Sequence, residues 1–270
     1  MHTPTVSPEL KAALRRLRLG RIADSLPERL VLAEKQSMPF EDLLLMLLTD
    51  EINLRDSTAA DRRADEGGLD PMMRLEHYDK ASKVTYNKRL LAELCSLRFL
   101  TAHRHVTILG PVGVGKTFIG NSLGHLACRH GYTVRFVRAD EMLRTLRQSR
   151  LDNSRDAEIV ALTTVDLLII DDFALDPMSR DESRDVYQII IERTERASMI
   201  ITSNRDTSEW VSMFDDVLRA QSAIDRYKNA AYDLVIEGES YRPHLKPQID
   251  LADPPPDAPV PKSRSHPRRR

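Results

Sequence analysis

The segment Gly110-Pro111-Val112-Gly113-Val114-Gly115-Lys116-Thr117 constrains this chain more than any other. It fits the pattern G-x-x-x-x-G-K-[ST] at every fixed position. Val106–Leu109 just before it reads as a strand, and the residues from Lys116 onward read as a helix. Glycines between a strand and a helix let the backbone curl until successive N–H groups point inward at phosphate oxygens. The helix adds the positive end of its dipole. Lys116 can neutralise β- and γ-phosphates, and the Thr117 hydroxyl suits Mg²⁺, which prefers hard oxygen ligands. Gly110 through Thr117, with Phe118 behind them, are the expected nucleotide contacts. ATP and Mg²⁺ are the expected cofactors.

The surrounding texture fits that loop. Val106–Leu109, Thr133–Val137, Val165–Ile170 and Met199–Thr202 read as strands, with Asp233–Ile236 a weaker fifth. Helical stretches begin near Lys116, Asp140 and Asp181. Strands alternating with helices predict an α/β fold with a mainly parallel sheet and helices on both faces. The largely apolar strand Val165–Ile170 ends in Asp171-Asp172, at the strand end that should open on the nucleotide crevice. Asp171 reads as the metal-organising acid, and Asp172 as the group that orients or deprotonates the attacking water. The competing reading of Asp172 is a strand cap that begins a turn. Met199–Thr202 runs into Ser203-Asn204, whose amide could hold the attacking water, although Ser-Asn alone is only a turn signal.

Four regions separate along the chain. Residues 1–66 read as a small helical domain that binds a partner, with Leu10, Leu14 and Leu17, then Leu43, Leu44, Leu47 and Leu48, at helical spacing. Pro39 can open the second of these helices. Residues 67–104 start at the breaker-rich joint Gly67-Gly68-Leu69-Asp70-Pro71 and include a helical stretch, Lys88–Leu100. Residues 105–246 form the α/β core. Residues 247–270 carry seven prolines and almost no large apolar side chain, a composition that predicts disorder. No apolar run approaches a membrane span. The first residues lack the apolar block of a signal peptide. Two cysteines cannot build a disulfide framework. A cytoplasmic protein is therefore expected.

The succession GPVGVGKT, LLIIDD, IITSN and AIDRY followed by GESYR resembles the IstB-like ATP-binding proteins of insertion sequences. These are AAA+ transposition helpers, similar in turn to DnaC helicase loaders. The resemblance runs from the N-terminal helices to about Pro243, and the ensemble of motifs is more specific than the phosphate loop alone. It implies an ATPase that assembles into an oligomer, binds DNA with little sequence preference and engages a transposase. By that resemblance Asp171 and Asp172 match the metal-binding and catalytic acids, and Asn204 matches the sensor. Arg226 matches an arginine finger that reaches a neighbouring subunit's γ-phosphate, so ATP would sit between subunits. At Asp172 related ATPases often carry the longer glutamate. Twenty residues, Tyr227 to Lys246, separate Arg226 from the proline-rich end, too few for a full C-terminal helical lid.

The formal net charge is −1, from 40 basic and 41 acidic residues, so any DNA contact must come from a local patch. Three compete: Lys11, Arg15 and Arg18 with Arg16 and Arg21; Arg144, Arg147, Arg150 and Arg155; and the basic run Lys262–Arg270. Each also reads as a solvated face. A helicase loader, and less closely a metabolite kinase with a phosphate loop, are the alternative functions.

Overall fold

A computed structural model describes residues 6–78 and 84–241. The disorder expected of residues 247–270, including the basic run Lys262–Arg270, lies outside them. Three helices come first: α1 (Pro8–Arg16), α2 (Ile22–Lys35) and α3 (Phe40–Glu66). Ser7 caps α1 by accepting the Leu10 N–H, and Pro39 stands at the cap position of α3. Ile22, Leu26 and Leu47 make the small core of this part. The far half of α3 belongs to the core domain as well. Ala64 packs there, and the Arg63 guanidinium donates to the Cys128 carbonyl at 2.8 and 3.0 Å.

The remaining elements are β1 (Val84–Tyr86), α4 (Lys88–Cys95), α5 (Arg98–Thr101), β2 (His105–Leu109), α6 (Lys116–Arg129), β3 (Val134–Arg138), α7 (Ala139–Ser149), α8 (Arg155–Thr163), β4 (Leu167–Asp171), α9 (Arg180–Arg193), β5 (Ser198–Ser203), α10 (Val217–Asn229) and β6 (Ala231–Gly238). The five expected strands appear within two residues of their expected ends. The stretch Lys88–Leu100 is not one helix, because Leu97 takes a left-handed φ of 59° and splits it into α4 and α5. Strand β1 was not expected, since three residues carry no periodic signal.

The sheet order is β1-β6-β2-β5-β4-β3. Only β1 runs antiparallel, against β6. After β2 the chain crosses to the far edge at β3 and returns through β4 to β5, beside β2. The C-terminal ends of β2, β5 and β4 therefore lie side by side, where a parallel sheet opens a crevice. Strands β2, β4 and β5 are buried along their whole length, as expected of a sheet covered on both faces. One face carries α7, α8, α9 and α10, and the other α6 with the end of α3. No helix among the described residues is long and apolar enough to cross a membrane.

Candidate active site

Strand β2 delivers the chain to the crevice and α6 carries it away. Between them Gly110, Gly113 and Gly115 take φ values of 153°, 86° and 96°. A Cβ on Gly113 would stand 2.1 Å from Ser240 Oγ, and one on Gly110 would stand 2.2 Å from the Ile236 carbonyl oxygen. Both obstacles belong to β6 and the turn after it. The Tyr241 N–H donates to the Gly113 carbonyl at 2.9 Å. The GESY segment therefore lies across the phosphate loop. Val114 turns into the core, while Val112 stays exposed.

Lys116 is 5% exposed and donates from Nζ to the Pro111 carbonyl at 2.8 Å and to Asn204 Oδ1 at 2.5 Å. Asn204 stands just past the tip of β5, so the fold brings these two residues together from positions far apart in the chain. Asp171 ends β4 and is 3% exposed. Thr117 Oγ1 donates to both of its carboxylate oxygens at 3.0 Å, and Thr202 Oγ1 donates to Oδ1 at 2.6 Å. Burial raises the Asp171 pKa above the usual carboxylate range, and the two hydroxyl donors oppose that rise. The nearby Asp172 charge adds to it and Arg138 reduces it. A dehydrated carboxylate beside a threonine hydroxyl is a fitting donor set for a hard divalent cation.

Thr202 was not singled out in the sequence. Its hydroxyl also accepts the Asp172 backbone N–H at 3.0 Å, so one side chain holds both aspartates. The parallel register pairs Ile170 with Ile201, which sets Thr202 one step on, level with Asp171. That pairing is a property of the sheet and is invisible in one strand. Tyr78 was also missed. Its ring packs against Phe118 with centroids 5.5 Å apart and approaches the Gly115 Cβ position to 4.0 Å, forming an aromatic wall beside the loop.

Asp172 adopts a left-handed φ of 53°, and its carboxylate lies 3.9 Å from Arg138 Nη2. Both line a cleft of about 390 Å³ together with Arg147 and Glu182. Arg226 sits elsewhere. It is exposed near the C-terminal end of α10, in a cleft with Arg104, Glu192 and Arg196. This is the end of the sheet where β2 and β6 begin, with Ala231 paired to His105. The phosphate loop leaves the other end of β2. At about 3.3 Å per residue, a five-residue strand separates the two by roughly 16 Å, beyond an arginine's reach.

The sequence pattern of the IstB-like ATP binding protein family matches residues 12–248. An insertion-sequence ATP-binding protein of Mycobacterium tuberculosis is 33% identical over 241 residues, covering 89% of this chain and 96% of the relative. The chain belongs to the IstB-like ATP-binding proteins. Among solved structures, the fold resembles DnaI, with a TM-score of 0.53 and 19% identity over 60% of this chain and 90% of that one. It also resembles the replication initiator DnaA bound to AMPPCP and single-stranded DNA, with a TM-score of 0.53 and 20% identity over 63% of this chain and 51% of that one. This IstB-like protein is thus an ATP-binding protein whose core shares the fold of those two structures.

Two of the four arginines of one candidate DNA patch are engaged inside the fold, while Arg144 and Arg147 stay exposed. Arg150 and Arg155 of the IstB-like chain both reach Asp185 at 2.6 Å, and Asp185 is 1% exposed. Two guanidinium groups compensate one buried carboxylate there, which ties α7 and α8 to α9. Arg147 pairs with Glu182 at 3.0 Å and Arg144 with Glu141 at 3.6 Å.

Proposed function

We propose that this protein is an ATP-dependent DNA-transposition helper that assembles with copies of itself on DNA, engages a transposase and hydrolyses ATP to ADP and phosphate. The relatives' association with insertion sequences supports the context. The observation that carries the mechanism is the split between Arg226 and the phosphate loop at opposite ends of the same strands. A finger placed there serves only the site of another subunit.

The loop's N–H groups and Lys116 hold the triphosphate. Lys116 exchanges the Pro111 carbonyl and Asn204 for phosphate oxygens, which frees the Asn204 amide to orient the attacking water. When bound by Thr117 and Asp171, Mg²⁺ supplies charge neutralisation at the β- and γ-phosphates. The water oxygen forms a bond to the γ-phosphorus while the bond to the β–γ bridging oxygen breaks, and ADP leaves with that oxygen. Asp172 accepts the water's proton. Arg226 of a neighbouring subunit balances the charge that spreads over the γ-oxygens.

Mixing two inactive variants tests this reading. Arg226→Ala keeps its own loop, and Lys116→Ala supplies good fingers with dead pockets. Mixed particles, shown to form by size, should recover ATP turnover where a normal Arg226 meets a normal loop. Mixed particles that stay inactive at every ratio overturn the inter-subunit site.

A further inference from the structure

A cleft of about 670 Å³ lies between the α1–α2 turn and α3, on the helical part of the chain and apart from the nucleotide site. Arg15 enters it from the last turn of α1, and Arg18 and Arg21 from the turn. Arg55 and Arg62 enter from α3. Two carboxylates, Asp24 and Glu51, share the lining, so five guanidinium groups leave a formal charge of +3. The shape is built rather than incidental. Arg18 takes a left-handed φ of 58°. Arg55 donates from Nε to Glu51 Oε1 at 2.8 Å and from Nη2 to the Arg18 carbonyl. Arg21 donates to Thr58 Oγ1 at 3.3 Å. Glu51 is 6% exposed, and its second oxygen has no hydrogen-bond partner among the described residues. The pairing with Glu51 fixes the Arg55 side chain within the lining.

Of the five, only Arg55 is committed to a carboxylate of the lining, Glu51. Arg15, Arg18 and Arg21 enter no ion pair among the described residues, and Arg62 has only a surface contact with Glu66 at 3.7 Å. The rest of the lining is Gly20, Thr58 and Ala59, with no large apolar or aromatic side chain. Protein interfaces draw their affinity from buried aromatic and aliphatic anchors, which this cleft lacks. Nucleobase recognition needs a stacking surface, which it also lacks. Phosphate needs charge and planar donor forks, which it has.

From this we infer that the cleft formed by Arg15, Arg18, Arg21, Arg55 and Arg62 is a docking site for the phosphate backbone of duplex DNA. The inference rests on the reading that the chain binds DNA, and adds where it does so. Forks arriving from three segments spread the charge along a backbone rather than around one ion. Contacts of this kind position the duplex without reading its sequence.

The test uses the full chain with ATP and Mg²⁺, and a labelled random-sequence duplex followed by fluorescence anisotropy across a salt series. The triple variant Arg15→Ser, Arg18→Ser, Arg21→Ser should lower affinity about 10- to 100-fold near physiological salt, and each lost phosphate contact should flatten the log–log salt slope by about 0.9. ATP turnover without DNA should not change. A triple Arg→Lys variant at the same positions should keep most of the slope. Should the serine triple melt early, Arg15→Ser alone serves, with a slope reduced by about 1. A parent that binds duplex alongside serine variants of equal affinity and slope overturns the cleft and leaves the DNA reading standing. Loss of pyrophosphate binding in the serine triple with unchanged duplex binding also overturns it, as an anion site of another kind. A parent that binds no duplex removes the DNA reading itself, and the cleft with it.

Discussion

Replacing Thr202 by Val tests the site where it is most tightly connected. Valine preserves the shape and puts a methyl where the hydroxyl was. Two interactions end. The 2.6 Å bond to Asp171 Oδ1 is one, and a hydrogen bond to a charged group contributes about 1.5–3 kcal/mol. The 3.0 Å bond from the Asp172 N–H is the other, and an abandoned buried donor costs about 1–3 kcal/mol. The two share one hydroxyl and do not add fully, so a loss of about 3 kcal/mol is expected. At about 2–4 °C per kcal/mol for a chain of this size, the melting temperature should fall by about 6–12 °C. Scanning fluorimetry without nucleotide measures it. Thr202→Ser keeps the hydroxyl and should stay within about 1.5 kcal/mol of the parent, since it loses only a buried methyl. A valine variant melting with the parent, or a serine variant falling as far as valine, would refute the argument.

Asp171→Asn should raise the melting temperature of the nucleotide-free chain at neutral pH. Burial lifts this carboxyl's pKa, so its ionised form costs stability at pH values above the folded pKa. The same variant should lose the further stabilisation that ATP with Mg²⁺ gives the parent, and a variant that melts below the parent contradicts the sign. Gly113→Ala places a side chain at φ 86°, at about 1–2 kcal/mol, and against Ser240. Nucleotide affinity should fall about tenfold or more, with part of it restored by adding Ser240→Gly, and titration of a fluorescent ATP analogue reads both. His105 is buried, stacks on Tyr227 at 5.0 Å and accepts the Met199 N–H at Nδ1. Its pKa falls from 6.5 to about 4, first through burial and then through Arg193 and Arg104. Its neutral ring gives full stability above about pH 6.5, and about 3 kcal/mol is lost as pH falls towards 4. Urea denaturation across that range should show the drop, and His105→Gln should remove that part of the slope.

Much of the nucleotide site was legible because it is local. The loop from Gly110 to Thr117 is a run of eight residues whose glycines, lysine and threonine act within one turn of chain. Asp171 was legible because an apolar strand ending in an acid marks the edge of a parallel sheet. Arg226 was legible only through the resemblance, and Asn204 had beside it only its place at a strand tip, a position that Ser-Asn also takes as an ordinary turn.

By itself the sequence determined the α/β class, the five parallel strands and the phosphate loop, because strand alternation and glycine conformational freedom are properties of neighbouring residues. Only the tertiary structure decided which side chains meet. The register of β4 against β5 set Thr202 beside both aspartates. The return of β6 placed Ser240 where Gly113 can have no side chain. The burial of Asp185 drew Arg150 and Arg155 out of the candidate DNA patch. The packing of the α1–α2 turn on α3 gathered five arginines into one cleft. Each of these pairs residues far apart in the chain, and no periodicity within a single segment encodes such a meeting.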